Sequence, residues 1–218
     1  MSGFSRTLYS SRVPVHLVDH DLAHDALVEL RSKDTPPDRF RLAATRISLV
    51  LAAEAMRDMP GTDVSVETPL APAPGRRVDD LVVVAVLRAG LGMLDAVLQL
   101  APRARVGLIG LRRDEATAVA SQYYANVPAN IGSSVAVLVD PMLATGGSAV
   151  AALDILKRAG ATNIRFICLV AAPEGVAHVE RHHPDVAIYV PVVDHHLNAR
   201  KYIVPGLGDF GDRLYGTL

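Results

Sequence analysis

The sequence predicts an α/β fold, a mostly parallel sheet with helices on both faces, and three observations carry that prediction. Residues 81–86, 106–111, 135–139 and 164–171 are short apolar runs, several rich in valine, too short for helices and without the alternation of a half-exposed strand. They read as strands buried on both sides. Helical patterns fall between them, and strands alternating with helices imply a parallel sheet. Small residues and glycines follow the strands at 88–92 and 144–148, at the carboxyl ends where such sheets bind ligands.

Composition agrees. Of 218 residues, 50% are hydrophobic and 21% charged, which suits a globular chain with a sizeable core. The formal net charge is −1, so no global field draws the chain to nucleic acid or an anionic membrane. Any phosphate binding must come from local arrangement. The one cysteine, Cys168, lies in an apolar run and reads as a buried thiol. No apolar stretch approaches the ~20 residues of a membrane span, and residues 1–12 lack the apolar core of a secretory signal. A cytoplasmic location is the expectation.

In chain order, residues 1–12 read as a loose, mildly basic tail. Residues 16–18 suit a short strand, and 19–21 can cap a helix running to about Arg31. Pro36 and Pro37 help to break it. A second helix, over about 40–59, is apolar nearly all round through Leu42, Ala43, Ala44, Ile47, Leu49, Val50 and Leu51. Helices without a polar face are buried on more than one side, which implies a subunit interface. Residues 64–68 read as a strand, and 69–77, with Pro69, Pro72, Pro74 and Gly75, as a surface loop. A helix over 93–100 follows the strand at 81–86. From 112 to 131 no period holds, so this stretch reads as a functional flap. A helix from 175 to about 183 and a strand over 186–193 precede a last segment, 194–218. The whole of 1–218 reads as one domain.

The stretch 135–160 organises the chemistry. Asp140 stands at the carboxyl end of a buried strand, followed by the turn Ala144-Thr145-Gly146-Gly147-Ser148. A helix with Val150, Leu153 and Leu156 on one side comes next, closed by Lys157, Arg158 and Gly160. The first amides of such a helix lack helical partners and carry the positive end of its dipole, so they favour a phosphate. Glycine lets the backbone come close to that anion. Ordinary strand-to-helix turns also hold Gly and Ser, and no Gly-Lys-Ser/Thr follows, so this is not a Walker loop.

Arg88-Ala89-Gly90-Leu91-Gly92 offers a second anion site, a cation before a glycine turn. A dinucleotide fingerprint fits poorly: Asp95 holds the third glycine position, and Gly110 stands where an acid is needed. Arg112-Arg113-Asp114-Glu115 opens the flap and by composition alone is a solvated charge run. Asp194-His195-His196 matches the triplet of a metal-dependent phosphoesterase family, but no Asp-x-Asp cluster lies upstream, and isolated histidines are mostly structural. From Tyr202 to Arg213 the chain carries Pro205, Gly206, Gly208 and Gly211, which cannot continue a strand or helix. Such a segment exposes amides and carbonyls able to read the edge of a small planar base, or it packs as a terminal loop.

The string Asp140-Pro141-Met142-Leu143-Ala144-Thr145-Gly146-Gly147-Ser148 resembles the ribose-phosphate loop of type I phosphoribosyltransferases. Pro141, where most relatives carry a second acid, makes it similar to the uracil phosphoribosyltransferase family. Residues 87–92 resemble that family's pyrophosphate loop, which can hold a non-proline cis peptide. Residues 202–213 resemble its uracil-binding end. The resemblance covers roughly 17–218 and is strongest from 81 onward.

It implies transfer of a 5-phosphoribosyl group from 5-phospho-α-D-ribose 1-diphosphate (PRPP) to N1 of uracil, giving UMP and diphosphate in pyrimidine salvage. Mg²⁺ would arrive on the diphosphate, with no direct protein ligands. For PRPP the resemblance implies Arg88, Arg113, Asp209 and the run from Asp140 to Ser148, with Asp140, Arg113 and Asp209 catalytic. For uracil it implies Asp209 and main-chain groups at Ile203, Gly208 and Phe210. Its partners are these small molecules, with a homodimer or larger homo-oligomer, and GTP is a candidate effector because some members respond to it.

Several positions depart from the family pattern. Tyr123 is kept, but Ala120-Ser121-Gln122 replaces Pro-x-Pro, which implies a floppier flap. His196 stands for a glycine, which matters if that glycine holds a left-handed angle. Phe210 replaces a small residue and can crowd the pocket. Asp25 and Ala26 lie where basic residues are common, and Ala53 replaces a tyrosine. These departures motivate a second reading, a non-catalytic sensor of uracil nucleotide or PRPP on the same fold.

Overall fold

A run of valines stays in a sheet interior only if both faces are covered, and the two cores of this protein show how that is done. The computed structural model describes residues 14–113 and 120–217. The expected tail and the flap apex lie outside the described residues.

Strand β1 (Val15–Leu17) leads into α1 (Asp21–Arg31), which His20 caps by accepting from the Leu22 amide at 3.1 Å. Helix α2 (Pro37–Ala55) begins on a proline, where a missing N–H costs nothing. It ends earlier than its apolar pattern suggests. Its apolar girth is largely absorbed within the chain: Phe40, Ala43, Ala44, Ile47, Leu51, Ala52 and Ala55 are buried. Leu42 is left exposed.

Next come β2 (Gly61–Glu67) and β3 (Pro72–Val78), an antiparallel hairpin. The surface loop expected over 69–77 is therefore a strand for most of its length. Pro72 and Pro74 stand two apart, so both nitrogens face the same way, and a two-stranded ribbon has a side where no ladder amide is needed.

Strand β4 (Leu81–Leu87), helix α3 (Leu91–Leu100) and β5 (Arg105–Arg113) follow. β6 (Ala120–Asn126) then returns antiparallel to β5, with a register shift at Gly110/Leu111. The base of the flap is thus a regular ribbon. Its strand was hidden in the sequence because β6 is a sheet edge and residues 121–126 are exposed, so no apolar period marks it.

The chain continues through β7 (Val135–Val139), β8 (Met142–Leu143), α4 (Gly147–Arg158), β9 (Asn163–Ile167) and β10 (Val170–Ala171). One strand was expected over 164–171. It breaks after Ile167, because the Leu169 and Val170 amides turn to the Pro141 carbonyl at 2.9 and 3.1 Å, and β10 then pairs with β8. The remaining elements are α5 (Pro173–His182), β11 (Ala187–Val190), β12 (His196–Leu197), β13 (Ile203–Val204) and α6 (Phe210–Tyr215).

The main sheet runs β1-β11-β9-β7-β4-β5-β6, parallel throughout except for β6. Alternate residues divide between its faces as a pleat requires. Val83, Ala85, Val137 and Val139 join the core with Met93 of α3, Phe40 of α2 and Leu214 of α6. Val82, Val84, Ala136 and Leu138 join the other core with Leu153 of α4 and Val176 of α5. Neighbouring strands β4 and β7 thus send their helices to opposite faces. A crevice opens between them at the carboxyl ends, the switch point where open α/β sheets bind ligands.

Candidate active site

Two turns meet at that crevice. After β4, a Cβ on Gly90 would lie 2.6 Å from the Val139 carbonyl oxygen and 2.7 Å from that of Val86. Only glycine lets the first turn nest against the end of β7, one residue before Asp140. The Leu87–Arg88 peptide within it is cis. The Arg88 guanidinium lies 5.8 Å from the Tyr215 ring centroid, and the Tyr215 hydroxyl donates to the Arg88 carbonyl at 3.2 Å.

After β7, the Asp140 carboxyl is buried, and its Oδ1 accepts weakly from the Met142 amide at 3.5 Å. Burial pushes this carboxyl up to about 7, against the pull of that one amide. Gly146, at φ 82, is the N-cap of α4, and a Cβ there would lie 2.9 Å from both the Gly175 carbonyl oxygen and the His178 Cβ. The turn is held from behind as well: His178 Nδ1 lies 2.9 Å from the Thr145 carbonyl, placed to donate to it. The open amides of the first α4 turn are what an anion would meet.

The third wall comes from the end of the chain. Ile203 pairs with Leu197 across β12 and β13. The Val204–Pro205 peptide is cis, and Gly206 and Gly208 have φ of 57 and 81. Asp209 caps α6 by accepting from the Asp212 amide at 2.9 Å. A Cβ on Gly92 would lie 2.8 Å from Leu214 and 3.1 Å from Phe210, so α6 packs directly on the start of α3.

The three walls enclose a cavity of about 700 Å³, within the range of small-molecule sites. Asp140, Met142, Leu143, Ala144, Thr145, Gly146, Gly147 and Ser148 line it from one side. Ile203, Gly208, Asp209 and Phe210 line it from another, and Leu87 and Ala89 flank the position of Arg88. Pro141 and Arg88 are not among the lining residues. Pro141 is buried and spends its carbonyl on residues 169 and 170, while Arg88 reaches toward Tyr215. The side chain of Arg113 lies outside the described residues.

Sequence reasoning missed Arg200 and Lys201, which also line the cavity just before Tyr202. The adjacent cations beside Tyr202 were the available signal. They sit on a tight turn in which the Asn198 side chain accepts from the Arg200 and Tyr202 amides, leaving Lys201 at φ 65.

Among the described residues no group of three or more His, Cys, Asp and Glu side chains could hold a metal. Asp194 is instead paired with Arg31, and the buried His183 faces Asp154 at 3.3 Å. Cys168 is fully buried, as its setting implied.

The chain matches the family profile of uracil phosphoribosyltransferase over residues 17–217. It belongs to that family. A uracil phosphoribosyltransferase of Symbiobacterium thermophilum is 49% identical over 95% of this chain and 99% of its own length. One of Rhodococcus opacus is 48% identical, over 93% and 98% respectively. Among solved structures, a protein of Aquifex aeolicus superposes with a TM-score of 0.89 at 34% identity, covering 92% of this chain and 97% of that one.

Within this uracil phosphoribosyltransferase fold, two departures from the family pattern lose their force. His196 lies in β12, paired with Val204, and is not among the residues with positive φ, so no left-handed angle is demanded of it. The Phe210 ring is turned into the core, 2% exposed and 5.2 Å from the Phe40 ring, so it does not crowd the cavity. Asp25 pairs with Arg46 across α1 and α2, and Ala26 is buried.

Proposed function

We infer that this protein transfers the 5-phosphoribosyl group of PRPP to N1 of uracil, forming UMP and diphosphate in cytoplasmic pyrimidine salvage. The observation that carries this is the meeting of an anion-binding helix start, a buried carboxyl and a glycine-rich main-chain wall in one cavity. Residues 145–148 hold the 5-phosphate through main-chain amides at the positive end of α4. Asp140 takes the ribose hydroxyls and faces the charge that develops at the anomeric carbon. Arg88 and Arg113 neutralise the leaving diphosphate, and Asp209 adds a second carboxylate on the donor side. Main-chain groups at Ile203, Gly208 and Phe210 read the edge of uracil.

No covalent intermediate is needed, because positioning and fixed charge supply the acceleration. The displaced diphosphate departs with its bonding electron pair as the uracil nitrogen attacks, and the N1 proton passes to the departing diphosphate. The β5–β6 ribbon at the base of the flap reaches the cavity through Leu111.

The donor set fits Mg²⁺ in a limited way. Among the described residues, Asp140 and Asp209 are the carboxylates lining the cavity, hard oxygen ligands too few for a protein cage. They suit an ion that keeps most of its coordination on the donor's oxygens and water. When bound, Mg²⁺ supplies positive charge to the diphosphate. Assembly as a homodimer belongs to the same proposal, and a monomeric mass by light scattering removes it.

The deciding experiment incubates the protein with Mg²⁺, PRPP and uracil and looks for UMP by chromatography, with cytosine, orotate, adenine and hypoxanthine in parallel. UMP from uracil alone is the expected result. Binding of uracil nucleotide without turnover points to the sensor.

A further inference from the structure

The carboxylate of Asp194 has no part in the chemistry above, yet it is among the most deliberately partnered groups in the molecule. Asp194 is 5% exposed. Its Oδ1 and Oδ2 accept from the two terminal nitrogens of Arg31 at 2.7 and 3.1 Å, a two-pronged pair. Oδ2 also accepts from the Gly206 amide at 2.8 Å, while Arg31 donates to the Gly206 carbonyl at 3.2 Å. Both polar groups of Gly206 are thus held by one ion pair.

The next residue is held by a second arginine. Arg213 donates to the Leu207 carbonyl at 2.7 Å and to the carbonyls of Leu30 and Ser32, the residues on either side of Arg31. Its guanidinium lies 4.4 Å over the Phe40 ring. Two arginines therefore tie residues 206–207 to the last turn of α1, in opposite directions across the same seam.

A stability role explains this poorly. Removing two charges from water costs about as much as their attraction returns, so a buried ion pair is weak evidence of net stabilisation. Recognition through main chain supplies the need for that geometry. Where amides and carbonyls read a base, no side chain can be exchanged to tune the fit, and only the position of the loop remains adjustable.

We propose that Arg31, Asp194 and Arg213 are positioning residues for the pyrimidine base: they set base affinity and selectivity by fixing the main chain at 206–208 against α1, without touching substrate. The proposal rests on the reading that residues 203–210 hold uracil.

The test is steady-state kinetics on Arg31→Lys and Asp194→Asn, varying uracil and PRPP separately, with cytosine as a competing base and thermal melting in parallel. Arg31→Lys keeps the charge and loses the fork. The KM for uracil rises about tenfold in each variant, the scale of one charged hydrogen bond, while the KM for PRPP stays within about twofold. The preference for uracil over cytosine falls with it. Glu29→Gln, on the same helix and facing Arg46 at 3.5 Å, serves as a control that leaves both KM values unchanged.

Unchanged uracil KM in both variants, or equal rises in both KM values, overturns the proposal. If Asp194→Asn does not fold, Arg31→Lys decides alone, since its side chain is 25% exposed and tolerates exchange. Wild-type protein that makes no UMP sinks the reading of the site itself; wild-type UMP with no selective change in uracil KM sinks only the positioning role.

Discussion

The two ends of the cavity are built by different means. The end proposed for phosphate is local: β7, Asp140, the turn at 144–148 and α4 follow one another in sequence, and the proposed anion site is made of their own backbone. The end proposed for the base is assembled from far apart. Its loop at 206–207 is held by Arg31 of α1, 175 positions before Gly206, and by Asp194, 12 residues before it. A phosphate can be bound by whatever presents free amides, whereas a base edge must be met at a set distance. The first task is solved by a motif and the second by long-range packing.

Asp140→Asn is the severest test of the phosphate end. The variant keeps the shape and loses the charge, and kcat falls by about 100–1000-fold, the scale of one electrostatic contact in a transition state. Near-normal turnover would mean that Asp140 holds only structure. The same substitution has an opposite effect on stability. The folded carboxyl titrates near 7 against an ordinary 3.8, so the stability it contributes is fully present below about 3.8 and lost as pH rises toward 7. At pH 8 the native state carries a buried charge that Asn removes, and the variant is more stable than wild type by about 1–4 kcal/mol, the gain vanishing near pH 4. Melting curves at both pH values check this sign.

Gly146→Ala comes next. The added Cβ meets the Gly175 carbonyl oxygen and His178 at 2.9 Å at a backbone angle of 82°. We expect a loss of about tenfold in kcat/KM with PRPP varied, from strain of 1–3 kcal/mol. The smallest effect belongs to His178→Leu, which leaves the Thr145 carbonyl without its donor. KM for PRPP rises about threefold, and KM for uracil does not move. An equal rise in both would erase the distinction between the two ends.

That distinction also governs what could be read before the structure was known. The strands at 81–87 and 135–139 were legible because burial on both faces leaves unbroken apolar runs, and the turn at 144–148 because its glycines and Asp140 stand together. Residues 69–77 misled because proline reads as loop, although a two-stranded ribbon tolerates it on one side. The break after Ile167 was invisible because Cys168 and Leu169 are as apolar as the strand before them. The ties that Arg31, Asp194 and Arg213 make carried no signal. Nothing in a charge's own neighbourhood tells that its partner lies more than 160 residues away.

The seam between α1 and residues 206–213 has a consequence for the nascent chain. A ribosome delivers α1 well before the base loop, so the Arg31 tie forms only after the 175 positions that separate it from Gly206 have been added. Contacts of such high sequence separation form late, because a long loop must be closed before they give anything back. Until then a growing chain can hold the finished turn at 144–148 while the loop at 206–207 is still untied.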